Sequence, residues 1–533
     1  MTMFLAVPCG ILLLTGLVIP VQNRLRENVG LSWLIATVSA GAVLVWSIYS
    51  AWIPDQEITL LPTVTVGSYP LVFVFDRSVA ALFITLSSVY FMTMVTLVSE
   101  FSVDRGIGQF LLLIAIVGVA FLSAASKSIW NFIFCWTLYD LITGSRQFRA
   151  TGERKDREAR LGLYGLRLFA VFLLTVSFAI TARKIWLATA ASGAAYIPAL
   201  LAVLAAGIRS GVLPPHQSGL SIAGMPPKAE TLGRVIGILI VVPVYLRVET
   251  AGFPSAVLSW LRFFTVLAGI AGCAGWLLSN RSEVGRNFFL LICAVYPLAG
   301  ALSGSPTAAL IFSVVYPIAA IAIYHHFANY VVIRVLLVFF LLLFSGLPFT
   351  PAAAGWPYLI EAGISFFTAG LILTQAVAMI GYALSILRPR AYDPGATDRW
   401  TRTGFPFTYA ILFASGVFAA YTGWGYAGKA GDFRLMIWTG GTIFLFGAFY
   451  YRYRTSESYH DLNLWAREVA GRTTVFLIRL IDFSGFGFLT RPAYRLLTGA
   501  NGLIAAALES EGGLIWEILL LIVILVGVAA GTV

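Results

Sequence analysis

The sequence predicts an all-α polytopic membrane protein, a bundle of about sixteen transmembrane helices, and three observations support this. Of its 533 residues, 59% are apolar and only 11% are charged, with a mean hydropathy of +0.88. Apolar runs of about eighteen residues or more recur along the chain, the length a helix needs to cross the hydrocarbon core. Runs such as Leu336 to Phe344 and Ile518 to Val528 are continuous and do not alternate, which excludes a transmembrane barrel.

The spans fall at 3–21, 31–52, 69–98, 107–124, 128–144, 163–182, 194–211, 232–248, 254–279, 287–303, 306–328, 330–347, 358–387, 405–423, 434–451 and 514–531. The first has neither a basic leader nor a small-residue cleavage site before Gln22, so it reads as a retained helix. Pro and Gly predict broken helices near 209–230 and 346–357. Three units follow: a bundle over 1–451, a charged arm over 452–512 and a C-terminal anchoring span over 513–533.

The net charge of +11 lies mostly in short loops after odd-numbered spans, among them Arg24 and Arg26, Arg146 to Arg160, Arg281 and Arg286, and Arg388 to Arg402. Basic loops stay cytoplasmic, so both termini are expected outside, with Lys127, Arg183 and Lys184 dissenting. This distribution marks a membrane protein and excludes nucleic acid as the partner of the charge. A bacterial inner membrane is the expected location.

The arm breaks the hydropathy pattern. Glu468, Arg472, Arg479 and Asp482 fall within about 80° on a helical wheel, opposite Leu462, Val469, Phe476, Leu477 and Leu480, although Leu464 and Val475 intrude. A lateral amphipathic helix along the cytoplasmic interface is one reading, kinked near Gly485, Gly487 and Pro492; a loose interfacial linker is the other.

Soluble-type catalysis is excluded by what is missing. Cys9, Cys135, Cys273 and Cys293 all lie in apolar spans, and the four histidines form no metal-ligand or hydrolytic spacing. No nucleotide, haem or metal motif appears, so no cofactor and no metal are expected.

Ionisable groups at membrane depth are costly and are the natural candidates for ion movement. Arg209 ends an apolar run and is followed by Ser210, Gly211, Pro214, Pro215 and His216, a helix-breaking segment. It reads either as a charge at a broken helix or as one that snorkels to an ordinary loop. Lys228, Glu230 and Arg234 surround the start of the next span, where Glu230 and Arg234 can pair at i, i+4; loop solvation is the alternative for Lys228. Asp140 has Arg209 or Arg146 within reach as a partner, and Glu361 and Glu517 stand near the starts of their spans. His325, His326 and Arg334 flank a span junction and read as markers of the headgroup level.

The segment Arg209, Ser210, Pro214 and His216 resembles the seventh-helix signature of the antiporter-like subunits of respiratory complex I, membrane-bound hydrogenases and Mrp cation antiporters, in which a lysine-serine pair precedes a proline and a histidine. Phe75-Asp76, Phe132-Ile133-Phe134 with Trp136, Pro226-Pro227 and Gly346-Leu347-Pro348 agree in order. The resemblance covers most of the chain and implies the distal, long-armed type. It also implies a neighbouring antiporter-like subunit touched by 452–512, and proton or cation translocation coupled to redox or substrate transport. Within an assembly of that kind, the chain would be at most a non-catalytic membrane subunit.

The motifs that carry ions in that family are eroded. The fifth-helix glutamate falls on Thr137, with Asp140 one turn on, and the seventh-helix lysine falls on Arg209. The tryptophan after the histidine is Ser218, the eleventh-helix histidines and lysine have no counterparts in Ile311 to Ile321, and the twelfth-helix lysine falls on Trp356. The sequence therefore leaves two readings. In one, Asp140, Arg209, His216, Lys228, Glu230, Arg234 and Glu361 form a rewired ion path; in the other, the chain is a non-conducting scaffold for partner subunits.

Overall fold

In the computed structural model, residues 3–25, 29–53, 55–60, 71–100, 107–149, 154–182, 196–216, 225–250, 252–278, 282–325, 331–360, 365–387 and 399–424 are described, with isolated positions between 437 and 444. The helices are α1 (Met3–Leu25), α2 (Val29–Ser50), α3 (Arg77–Leu97), α4 (Gly108–Ala125), α5 (Ile129–Arg149), α6 (Arg154–Ala182), α7 (Ile197–Ser210) and α8 (Pro227–Leu239). They continue as α9 (Val242–Arg247), α10 (Ser255–Leu278), α11 (Ser282–Leu302), α12 (Pro306–Tyr324), α13 (Val331–Phe344), α14 (Pro351–Ile360), α15 (Phe366–Leu387) and α16 (Arg399–Trp424).

Eleven stretches among the described residues are long and apolar enough to cross a membrane, with Ile197–Ser210 and Val331–Phe344 as shorter apolar helices. The chain is a multi-pass membrane protein. The lateral arm expected at 452–512, the span expected at 514–531 and most of that expected at 434–451 lie outside the described residues.

Burial sorts the helices into layers. The spans of α3 and α11 are each 94% buried inside the protein, whereas that of α6 is 22% buried and turns Leu168, Phe169 and Phe172 outward. The central helix α3 packs against α2, α4, α8, α12 and α16. Lipid tails are as apolar as leucine, so the outward leucines and phenylalanines cost nothing in a bilayer.

Two local features correct the sequence reading. The long span expected at 69–98 is a strand followed by a helix. Leu71–Phe75 pairs antiparallel with Gln56–Leu60, in the register Gln56 with Phe75, so the fold is not strictly all-α. Asp76 then caps α3, its carboxylate accepting from the Val79 amide at 2.8 Å. The hairpin lies on the α4–α5 turn, where Phe73 bridges Ser126 and the Lys127 amide donates to the Val72 carbonyl at 3.1 Å.

The second correction is a break inside the span expected at 232–248. Pro243 lacks an amide proton and its ring crowds the preceding turn, so the helix stops at Leu239 and restarts at Val242. The Ile240 carbonyl at the break accepts from Ser123 Oγ at 2.9 Å and Trp136 Nε1 at 3.2 Å. The two breaks expected from sequence are present: α7 ends at Ser210 and α8 begins at Pro227, and α13 ends at Phe344 before the short α14.

Candidate ion-path site

The end of α7 shows how the chain builds its site. Gly211 adopts φ +83°, and its amide reaches back to the carbonyls of Gly207 and Ile208. A left-handed residue ends a helix at little strain only when it has no Cβ. Leu213 then folds onto Gly207 so closely that a Cβ there would stand 2.5 Å from Leu213 Cδ1. The turn fixes His216 as well, through its amide to the Gly211 carbonyl at 2.8 Å and its Nδ1 against the Pro214 carbonyl at 2.7 Å.

Arg209, one residue before this turn, is 2% exposed and does not snorkel. Its Nη1 and Nη2 donate to Asp140 Oδ2 and Oδ1, each at 2.8 Å, a bidentate pair between α7 and α5. The guanidinium also lies over the Trp136 ring, 4.9 Å from its centroid. Thr137, where the resemblance places a glutamate, only donates to the Ile133 carbonyl of its own helix, at 2.7 Å.

Arg167 on α6 is a member of the site that sequence reasoning missed. It is 6% exposed, its Nη1 lies 3.6 Å from Asp140 Oδ1, and its guanidinium faces the Tyr139 ring at 5.6 Å. Tyr139 in turn donates to the Gly233 carbonyl of α8 at 2.9 Å, which ties α5 to α8. The signal was legible: an arginine lay inside a stretch already identified as a span.

A second cluster sits at the start of α8. Glu230 accepts from Arg234 Nη2 at 2.7 Å on one oxygen and from Arg286 Nη2 of α11 at 2.6 Å on the other. Arg286 Nη1 adds bonds to the Pro227 carbonyl at 2.9 Å and Thr231 Oγ1 at 3.1 Å. The sequence placed Arg286 in a cytoplasmic loop; α11 starts early enough to carry it inside. Lys228 is 4% exposed, with its Nζ donating to the Thr96 carbonyl at 2.9 Å and standing 3.8 Å from Glu100 Oε1. Loop solvation is therefore not its environment.

His325 is likewise buried within the protein, with Nε2 3.1 Å from Thr93 Oγ1 and Nδ1 3.0 Å from the Ile321 carbonyl. Glu361 lies outside the described residues.

The structure thus brings Asp140, Arg209 and Arg167 together in one group, and Lys228, Glu230 and Arg234 with Arg286 in another. Arg167 lies close enough to Arg234 and His216 for its charge to be felt at both. Beyond α11 the described residues include a buried cluster of neutral polar groups. Tyr296 and Tyr316 stack with centroids 4.4 Å apart, Tyr316 donates to Gln375, Gln375 donates to the Phe344 carbonyl, and Trp356 packs on Tyr296 and Phe312.

Comparison with solved structures bears on the fold. A chain of the Mrp complex from Dietzia sp. DQ12-45-1b superposes with a TM-score of 0.62 over 100% of this chain, at 13% identity. The present chain spans 63% of that chain's length. A chain of respiratory complex I from Thermus thermophilus gives 0.58 over 77% of this chain and 97% of its own, at 14% identity. The chain shares its fold with these chains of membrane complexes. A chain of the membrane-bound sulfane sulfur reductase, an archaeal respiratory membrane complex, gives 0.61 over 82% of this chain and 97% of its own, at 11% identity. No family model matches the sequence, and no curated protein matches it. At such identities the likeness lies in the fold and not in the side chains.

Proposed function

We propose that this chain is a membrane subunit of a complex-I-like, multisubunit assembly and takes part in moving a proton or small cation, coupled to redox chemistry or to transport of a substrate. The observation that carries the reading is the Asp140–Arg209 pair, buried at the broken end of α7. A guanidinium does not release a proton at working pH, so Arg209 serves as a fixed charge and not as a relay. A cation reaching Asp140 competes with Arg209 for the same two oxygens. Displacement of Arg209 would be felt by Arg167, Arg234 and then Glu230, which gives the site a means of electrostatic coupling along α8. Lys228, Glu230 and His216 supply the titratable groups of a shortened path.

The same reading places the protein in a bacterial inner membrane with both termini outside. It makes 452–512 a lateral helix on the cytoplasmic face against a neighbouring antiporter-like subunit, and 513–533 its anchor. The basic loops and the amphipathic arm support these placements. The second reading, a non-conducting scaffold, is favoured by the neutral side chains of α12, α14 and α15.

Ion flux in proteoliposomes holding the assembled complex separates the two. Arg209→Ala and Asp140→Asn are expected to abolish flux while assembly persists; unchanged flux in both variants would establish the scaffold. Deleting 452–533 is expected to release a neighbouring subunit on purification, and a complex that stays whole would refute the clamp.

A further inference from the structure

The buried charges do not balance. Around α8, five bases (Arg167, Arg209, Arg234, Arg286 and Lys228) face three acids (Asp140, Glu230 and Glu100) among the described residues. The surplus of two is divided, one positive charge at Glu230 and one at Asp140, and the two groups accommodate it differently. Arg234 and Arg286 each hold an oxygen of Glu230, and Lys228 has Thr96 and Glu100. At Asp140, Arg209 takes both carboxylate oxygens in a bidentate bond, which leaves Arg167 with Oδ1 at 3.6 Å, beyond hydrogen-bond length.

Arg167 Nη1 is accordingly a fully buried donor with no hydrogen-bond partner among the described residues, and Arg209 Nε, of the guanidinium bound to the same carboxylate, is a second. A buried guanidinium without a matched acceptor is among the least tolerated arrangements in a protein. Moving Arg167 away offers no relief: the guanidinium is held against the Tyr139 ring, and bare backbone meets it on α8, where a Cβ at Gly237 would stand 3.8 Å from Nη2. Arg209 and Arg234 both add positive potential at this point.

We propose that Arg167 is the seat of a binding site for one small monovalent anion, enclosed between α5, α6 and α8. One negative charge is what the Asp140 group lacks, and the free donors define a small acceptor. Halides and compact oxyanions share that chemistry. The site is independent of cation conduction, because an anion bound here neutralises the group whether or not an ion passes it.

Binding is read without flux. The full chain in lipid nanodiscs is unfolded thermally at fixed sodium and ionic strength while gluconate, too large for the site, is replaced by chloride or by nitrate; radiolabelled chloride binding is measured alongside. A saturating rise in Tm of a few degrees and saturable chloride uptake are expected. Nitrate acting at lower concentration than chloride identifies an oxyanion site, and the reverse a halide site. Arg167→Gln is expected to lose both the shift and the uptake, and Lys127→Ala, far from the site, to keep them. Should Arg167→Gln not fold, Arg167→Lys keeps a charge but not the planar fork and is expected to raise the half-saturating concentration. Absence of any anion-specific shift and uptake in the wild type, or an unchanged response in whichever Arg167 variant folds, overturns the proposal.

Discussion

The helices α5 to α8 and the helices α11 to α15 solve the problem of buried polar groups in different ways. The first group holds arginines and carboxylates in pairs, with Asp140 shared by Arg209 and Arg167 and Glu230 shared by Arg234 and Arg286. Beyond Arg286 on α11, and apart from Arg334 on α13, the second group holds neutral donors and acceptors, such as Tyr316, Gln375 and Tyr296, whose hydroxyl donates to the Leu371 carbonyl at 3.1 Å. The difference teaches that one scaffold can keep its shape while the chemistry of one half is replaced. Charge persists where broken helices supply a place for it, and aromatic stacking fills the space elsewhere.

The sharpest way to break the comparison is Asp140→Asn. It leaves two guanidiniums without their shared acceptor, and loss of one partner from a buried pair costs about 3–5 kcal/mol. Thermal unfolding of the purified chain is expected to show that loss, and Asp140→Asn combined with Arg209→Gln to recover part of it. A double variant no better than the single one would mean that Arg167, and not Arg209, carries the unbalanced charge.

Glu230→Gln tests the second cluster. Its carboxylate is shared by two arginines but retains some exposure, so water can replace part of what is lost, and a cost of about 1.5–3 kcal/mol is expected for the charge-assisted bonds. If it exceeds the cost of Asp140→Asn, the weight of the charged half lies at the start of α8 and not at the break in α7.

What the sequence disclosed follows the same division. The Asp140–Arg209 and Glu230–Arg234 pairs were legible because a charge in an apolar run must find a partner, and i, i+4 spacing names one. Arg167 was passed over although it met the same criterion, and Arg286 was assigned to a loop because hydropathy alone does not show how far a helix extends beyond its apolar stretch. The strand at Leu71–Phe75 was absorbed into the span after it, since a short apolar run looks the same in a strand and a helix. Pro243 was visible throughout, and its break inside a buried span was the physical consequence left undrawn.

On the neutral side, Tyr316→Phe removes one hydroxyl and leaves Gln375 without a donor, at a cost of about 1 kcal/mol. Ion flux of the assembled complex is expected to be unchanged. A fall in flux without loss of stability would show that the neutral half conducts, and the contrast between the halves would vanish as far as ion movement is concerned.

The smallest effect is expected from a charge pair that shares the chemistry of the first cluster but not its burial. Lys127 Nζ and Glu57 Oε2 lie 2.6 Å apart, joining the hairpin to the α4–α5 turn, with side chains 48% and 53% exposed. Water already solvates both ions, and salt screens them over roughly 8–10 Å at ordinary ionic strength. Lys127→Ala is therefore expected to cost about 0.5 kcal/mol, a cost that disappears in high salt. Measured beside Asp140→Asn by the same thermal assay, it sets an exposed ion pair against a buried one at similar distances. Equal costs in the two variants would mean that desolvation does not set the weight of the Asp140 pair, and the distinction between the charged and neutral halves would have to rest on packing alone.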